Sequence, residues 1–486
     1  MAVDIQQLKH KTITGMFWDF GQKLFSQGVG FVVSMILARL LMPADFGLIA
    51  MTSIFLAVVN IFADSGLGTS LVQKEGVDHL DYNTVFFTGL ALSGFLYVIL
   101  FFSAPLVGDL YHNATIVPVL RVMGLGLFLS SLNSVQSASV FRKLDYKKFF
   151  KVTLVGIVVS ALVGVGMAYY GFGVWALVIS GLVTNLVNAF TLNTIIKWRP
   201  RLEFSYCRLK GLWSFGANLM ATNLLGTFFD QLRGFLIGVK YKPADLAFYN
   251  RGNSIPQMLS GNIQGTLDGV LFPAISRVQD DKGKVKKAIR RSMMTSSLVI
   301  FPCMFLLSAL SDKLIVIFYG NKWLMAIPFM QVICFKYCFG IIGGANLQAM
   351  KAIGRSDITL KLEFIKKPLY FAIIFGTMFI SPLAMCVGNT VYDLIGATIN
   401  AMPNKKLISY SYWEQLKDLA PQMGISLAMA LIVYLLGRLN INIYLLTMIQ
   451  IAVGIIIYYS LAKLLRLECL QYMEKTASDF LKSRRA

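Results

Sequence analysis

Charge is scarce in this chain: Asp, Glu, Lys and Arg make up only 14% of its 486 residues, against 56% hydrophobic residues. A soluble protein of that length must cover its surface with polar side chains, so this composition excludes a string of soluble domains. Histidine is almost missing, and His10, His79 and His112 fall at the terminus or in expected loops. The six cysteines (Cys207, Cys303, Cys334, Cys338, Cys386 and Cys469) lack paired metal-ligand spacing and have no soluble ectodomain to cross-link. Cys334 and Cys338 stand one helical turn apart, but without a nearby histidine they read as small packing residues. No nucleotide-binding loop is present. No metal and no cofactor is therefore expected, and any work must draw on an ion or cargo gradient.

What the chain does have is apolar runs of membrane-crossing length, bounded by charge, Gly or Pro. Reading them in order predicts an all-α polytopic membrane protein with about fourteen helices, near 12–41, 46–72, 82–104, 116–141, 149–170, 173–196, 211–239, 246–275, 291–310, 326–350, 361–381, 384–402, 419–437 and 441–462. The first run follows Lys9 and Lys11 as a signal peptide would, yet it is too long, carries Asp19 and Lys23 and lacks a small-residue cleavage site, so it is kept as a helix. Assigning the connections alternately to two sides places 34 of the 45 Lys and Arg on the side of the N-terminus and six on the other. By the positive-inside rule both termini are expected on the cytoplasmic side of the membrane. The net charge of +21 is then a topology signal with a secondary attraction to membrane lipids, and nucleic-acid binding is not needed to explain it.

Two stretches about 200 residues apart share a pattern. Trp18-Asp19-Phe20-Gly21 recurs as Trp213-Ser214-Phe215-Gly216, and Pro43-Ala44-Asp45-Phe46-Gly47 recurs as Pro243-Ala244-Asp245-Leu246-Ala247. The offset spans six helices, an even number, so both copies enter the membrane from the same side, as in a parallel repeat. The expected organisation is a six-helix lobe over 1–200, a second over 201–403, and two added helices with a basic tail over 404–486. In each Pro-Ala-Asp turn, Pro fixes the backbone and Asp is placed to cap the next helix.

The run from Ile36 through Pro43-Ala44-Asp45-Phe46-Gly47 to Ala50, followed by Phe62-Ala63-Asp64-Ser65-Gly66-Leu67-Gly68, resembles the amino-terminal signature of polysaccharide-transporter flippases. Tyr249-Asn250-Arg251, Val270-Leu271-Phe272-Pro273-Ala274-Ile275-Ser276-Arg277 and Gln279-Asp280-Asp281 extend the likeness to the Wzx-like colanic acid and capsular exporters of the multidrug/oligosaccharidyl-lipid/polysaccharide superfamily. The resemblance implies two facing six-helix bundles, alternating access, and oligosaccharide linked to undecaprenyl pyrophosphate as cargo, for O-antigen, capsule or exopolysaccharide assembly. Polysaccharide polymerase or other assembly proteins are the partners it implies.

Ionised side chains at membrane depth are costly and count as functional candidates. The basic ones are Lys23, Arg121, Arg233, Arg251 and Lys336, read as a cationic trail for the pyrophosphate. Set against that, Lys23 can pair with Asp19 and Arg233 with Asp230, while Arg121 and Arg251 can reach the outer headgroups. Asp64, Asp268 and Asp393 are candidates for coupling to a proton or sodium ion, or else accept local hydrogen bonds. Gly261, Gly265 and Gly269 favour close helix packing beside Asp268. A drug and cation antiporter of the same superfamily would share the architecture but should be net acidic inside. A membrane-embedded polymerase or ligase would need a large outer loop, and 105–115 and 311–325 are too short, so the chain is read as a transporter and not an enzyme. A passive scramblase shares every feature named here.

Overall fold

The computed structural model describes residues 5–64, 66–142, 145–196, 198–439 and 441–483. Among these there is no strand, and fourteen long helices follow one another. They are α1 (Ile5–Leu40), α2 (Pro43–Asp64), α3 (His79–Leu110), α4 (Gly126–Arg142), α5 (Tyr146–Tyr169), α6 (Val174–Ile195) and α7 (Tyr206–Lys240). After these come α8 (Pro243–Ser276), α9 (Lys282–Ala309), α10 (Ile327–Ala352), α11 (Ser356–Thr377), α12 (Pro382–Ala401), α13 (Tyr412–Leu436) and α14 (Ile443–Leu464). Each of the fourteen apolar runs finds its helix. Ten spans among the described residues are long and apolar enough to cross a membrane, all except those of α7, α8, α11 and α12, and the protein is a multi-pass membrane protein.

The chain forms two compact units, Met1–Ala247 and Phe248–Ala486. In the first, α1 packs on α5, α5 on α6, α2 on α7, and α3 on α4. In the second, α10 packs on α9 and α12, α9 on α13, α11 on α12, and α13 on α14. The division at 200 and 403 is one of sequence likeness, whereas these units are defined by packing.

Both Pro-Ala-Asp turns are built alike. Proline occupies the first helical position, where its missing N–H costs nothing. The carboxylate two residues on reaches back to the N–H before the proline: Asp45 accepts from Met42 at 3.0 Å and Asp245 from Lys242 at 3.1 Å. This is the returning half of a capping box.

Several boundaries move for local reasons. The run expected as one helix over 46–72 breaks after Asp64, because Gly66 takes a left-handed φ of 66°, and resumes as the short helix Leu67–Gln73. The segment expected over 116–141 is likewise two helices, Ile116–Gly124 and α4, meeting at Leu125. The loop expected over 311–325 holds the helix Ser311–Tyr319 and a 3₁₀ turn. Helix α9 starts nine residues before its apolar run, where Asp281 caps it by accepting from the N–H groups of Gly283 and Lys284. The expected basic tail contains a further helix, Glu468–Ser483.

Candidate functional site

The end of α2 is where local sequence and site geometry meet. Gly66 turns the chain with positive φ, and its bare Cα faces the backbone of Gly216 on α7. A methyl group there would stand 2.8 Å from the Gly216 carbonyl oxygen and 2.9 Å from its Cα, so only glycine fits. The helix that follows is anchored by Leu67 and Leu71, both buried against Val135, Ala138 and Leu212. Ser70 accompanies them, donating to the Gly66 carbonyl at 2.9 Å. This turn leaves Asp64 exposed on the wall of a cavity of ≈ 790 Å³.

The wall opposite is α4. Ser130, Ser134, Ser137 and Phe141 recur at helical spacing on the face that lines the cavity, and Asn133 joins them. Asn60 from α2, Asn185 from α6 and Asn223 from α7 add amides to these hydroxyls, Ile61, Val72 and Met220 supply apolar wall between them, and Asp64 is the one ionisable lining group among the described residues. Hydrogen bonds from Ser131, which also lines the cavity, fix α4 against α3. Ser131 and Ser93 share a hydrogen bond of 2.6 Å, and Ser131 also donates to the Gly89 carbonyl at 3.2 Å. Asn133 gives its amide N–H to the Asn185 carbonyl at 3.2 Å, which leaves its buried Oδ1 with no hydrogen-bond partner. A buried acceptor without a partner is costly, which marks Asn133 as a strained polar position on the cavity wall.

One end of the same unit is closed by an ionic clasp. Asp81, wholly buried at the start of α3, is held by Lys74 at 2.6 Å and by Arg208 at 3.3 Å. Asp78 caps α3 and meets Arg208 at 3.0 Å. The N–H of Asp81 and then the Arg208 charge keep the Asp78 carboxyl below its ordinary value of 3.8. Arg142 adds bonds to the carbonyls of Leu71 and Lys74.

The residues singled out by charge are spread over both units. Asp64 alone among them lines the cavity. Lys23 is exposed on α1, and its expected partner Asp19 lies outside the described side chains. Arg121 donates to the Phe101 carbonyl at 3.2 Å and lies 4.1 Å from that ring's centroid. Arg233 is partly buried on α7, three residues from exposed Asp230. In the second unit Arg251 stacks on two rings, 5.2 Å from the centroid of Tyr319 and 5.4 Å from that of Trp323. Lys336 on α10 and Asp393 on α12 are brought together at 3.9 Å, and Asn389 donates to Asp393 at 3.2 Å. The side chain of Asp268 lies outside the described residues.

A scan for charge passes over the amides and hydroxyls of the cavity. The readable signal was the run Ser130-Ser131-Leu132-Asn133-Ser134-Val135-Gln136-Ser137-Ala138-Ser139, an unusual density of hydrogen-bonding groups within an apolar segment.

A family model described as "Polysaccharide biosynthesis protein" matches residues 36–328, more than half of the chain. The chain belongs to this family. Among curated relatives, the lipopolysaccharide biosynthesis protein WzxC of Escherichia coli K12 is 22% identical, with 88% of each chain covered. The succinoglycan biosynthesis transport protein ExoT of Rhizobium meliloti is 23% identical over 79% of each. A putative O-antigen transporter of Shigella flexneri is 21% identical over 75% of this chain and 88% of its own. Among solved structures, the lipid II flippase MurJ in an inward closed conformation has a TM-score of 0.76 at 14% identity, covering 93% of this chain and 98% of its own. An inward-facing multidrug resistance MATE transporter has a TM-score of 0.61, also at 14% identity, over 79% and 94%. The family member described here thus shares the fold of the multidrug/oligosaccharidyl-lipid/polysaccharide superfamily.

Proposed function

We propose that the protein is a flippase that carries lipid-linked oligosaccharide across the membrane, from the side bearing its termini to the opposite leaflet. The observation that carries this reading is the cavity of ≈ 790 Å³ walled by Asn60, Asn133, Asn185, Asn223 and the serine face of α4. Its volume lies within the ~300–1,000 Å³ range of ligand sites. Each sugar hydroxyl taken from water into a membrane costs several kcal/mol unless a partner replaces the lost bonds, and amides and hydroxyls supply both donors and acceptors. The relatives named for lipopolysaccharide, succinoglycan and O-antigen work support the same class of cargo. The undecaprenyl pyrophosphate carrier would be gripped by Lys23, Arg121, Arg233, Arg251 and Lys336, and coupling to a proton or sodium ion would run through Asp64, Asp268 or Asp393. The basic loops support an orientation with both termini cytoplasmic, and polymerase or assembly proteins would receive the product.

The test is a proteoliposome assay with fluorescently labelled lipid-linked oligosaccharide, in which an impermeant glycosidase reports the leaflet. Purified protein should speed transfer of the label, and Asn133→Leu or Asn185→Leu should slow it at least tenfold. Transfer no faster than in protein-free liposomes would sink the reading. Reporter fusions at Lys148 and Lys286 should read cytoplasmic, and those at Asp109 and Asn321 external.

A second reading has one observation in its favour. Asp64 is the one ionisable group lining the cavity among the described residues, and a carboxylate there suits a cationic drug. An antiporter would move an organic cation dye against a proton or sodium gradient and leave lipid-linked sugar in place.

A further inference from the structure

The second unit holds a separate cavity of ≈ 340 Å³ where the first turns of α9 meet the helix Glu468–Ser483. Lys287, Arg290 and Arg291 line it from α9, Tyr472 and Glu468 line it from the C-terminal helix, and Met294 gives it an apolar floor. The three cations differ in what satisfies them. Arg290 donates to Asp418 at 2.9 Å and to Glu468 at 3.1 Å, so its charge is met within the protein. Arg291 lies 3.1 Å from the centroid of the Tyr472 ring, and Lys287 is exposed. Neither has a carboxylate partner among the described residues. Four residues apart, they share one face of α9 and their charges add at the mouth of the cavity.

Two unneutralised cations above an apolar floor, at the basic end of a membrane-crossing helix, are suited to an anionic amphiphile: phosphate oxygens between the cations and hydrocarbon along the helix. The volume takes a phosphate headgroup and is less than half that of the first unit's cavity. We propose that this cavity binds the phosphate headgroup of an anionic glycerophospholipid from the leaflet facing the chain's termini, and that the lipid joins the C-terminal helix to α9.

The test uses the full-length protein, delipidated in detergent and titrated with phosphatidylglycerol or phosphatidylcholine, with adducts counted by native mass spectrometry. Phosphatidylglycerol should bind preferentially. Lys287→Gln combined with Arg291→Gln should weaken it about thirtyfold, the effect of two cations at an anionic site. Lys405→Gln combined with Lys406→Gln removes the same charge elsewhere and should change nothing. Equal binding of the two lipids by the unaltered protein, or equal weakening in the two double variants, overturns the proposal. Displacement of phosphatidylglycerol by an equimolar amount of undecaprenyl pyrophosphate overturns it in favour of the carrier. Should the first double variant fail to fold, Tyr472→Leu removes the ring beneath Arg291 without altering charge; a loss of about threefold is expected, and unchanged binding overturns the proposal.

Discussion

Replacing Gly66 by alanine tests whether the turn after α2 is built as described. Two costs add. The left-handed φ of 66° disfavours any residue with a Cβ by ~1–2 kcal/mol. The new methyl also meets backbone atoms of Gly216 at 2.8 and 2.9 Å, which cannot rotate away, and overpacking of that kind costs ~1–3 kcal/mol. Together they come to about 3 kcal/mol, or a thermal midpoint lower by roughly 6–12 °C for a unit of this size. Tryptophan fluorescence of the detergent-solubilised protein would measure the shift. Gly66→Asn separates the two costs, since asparagine tolerates the left-handed region but keeps the Cβ, so it should recover only the first. Gly68→Ala is the contrast: its methyl would meet the rotatable Oγ of Ser134 at 2.9 Å, on the cavity wall. It should leave the midpoint within about 2 °C and slow transport, because alanine suits a helix better than glycine while the methyl narrows the cavity. A midpoint unchanged in Gly66→Ala would refute the close approach of Gly66 to Gly216.

Three further outcomes follow from the described contacts. Asp81→Asn should destabilise the first unit by ~2–3 kcal/mol, since two cations lose a fully buried partner, while Asp78→Asn, which keeps its cap and loses a half-exposed pair, should cost under ~1 kcal/mol; thermal midpoints of both variants decide this. Because the Asp78 carboxyl is held below 3.8, its contribution is complete at neutral pH and fades only as pH falls below that value, so exchange protection of the Asp81 amide should be the same at pH 8 and pH 5. Arg251→Ala should cost ~1–2 kcal/mol through loss of its stacking on Tyr319 and Trp323, and Arg251→Lys should restore part of it; normal transport by Arg251→Ala alongside a lowered midpoint would confine Arg251 to packing and remove it from the proposed carrier contacts.

The number of helices was readable because each apolar run is long and each polar break short, and the superfamily fold was readable through the motifs around Pro43 and Asp64. Helix ends were less so. Residues 282–290 are charged and amphipathic, so hydropathy starts α9 at 291, although the Asp281 cap begins it earlier. The break at Gly66 and the meeting of helices at Leu125 arise from backbone conformation inside continuous apolar sequence. Of the cavity, Asp64 was visible because a carboxylate stands out at membrane depth. The serines and asparagines of α4 did not, since their value lies in sharing one face of a helix opposite α2 and α7. The pairing of Lys336 with Asp393 needed the contact of α10 with α12, which spacing along the chain does not disclose.

The two Pro-Ala-Asp corners began as copies of one piece of sequence, yet they are no longer interchangeable parts. Gly47, in the first, leaves bare the surface that meets the Pro243 backbone of the second, and any side chain there would collide with it. The matching position in the second corner is Ala247, buried and carrying its methyl. One descendant has become a socket and the other a plug. Exchanging residues 43–47 with 243–247 would therefore put a methyl into the socket and a glycine where the methyl is buried. Alike in sequence, the two corners are therefore unlike in shape at this joint, and neither can take the other's place without a collision or a void.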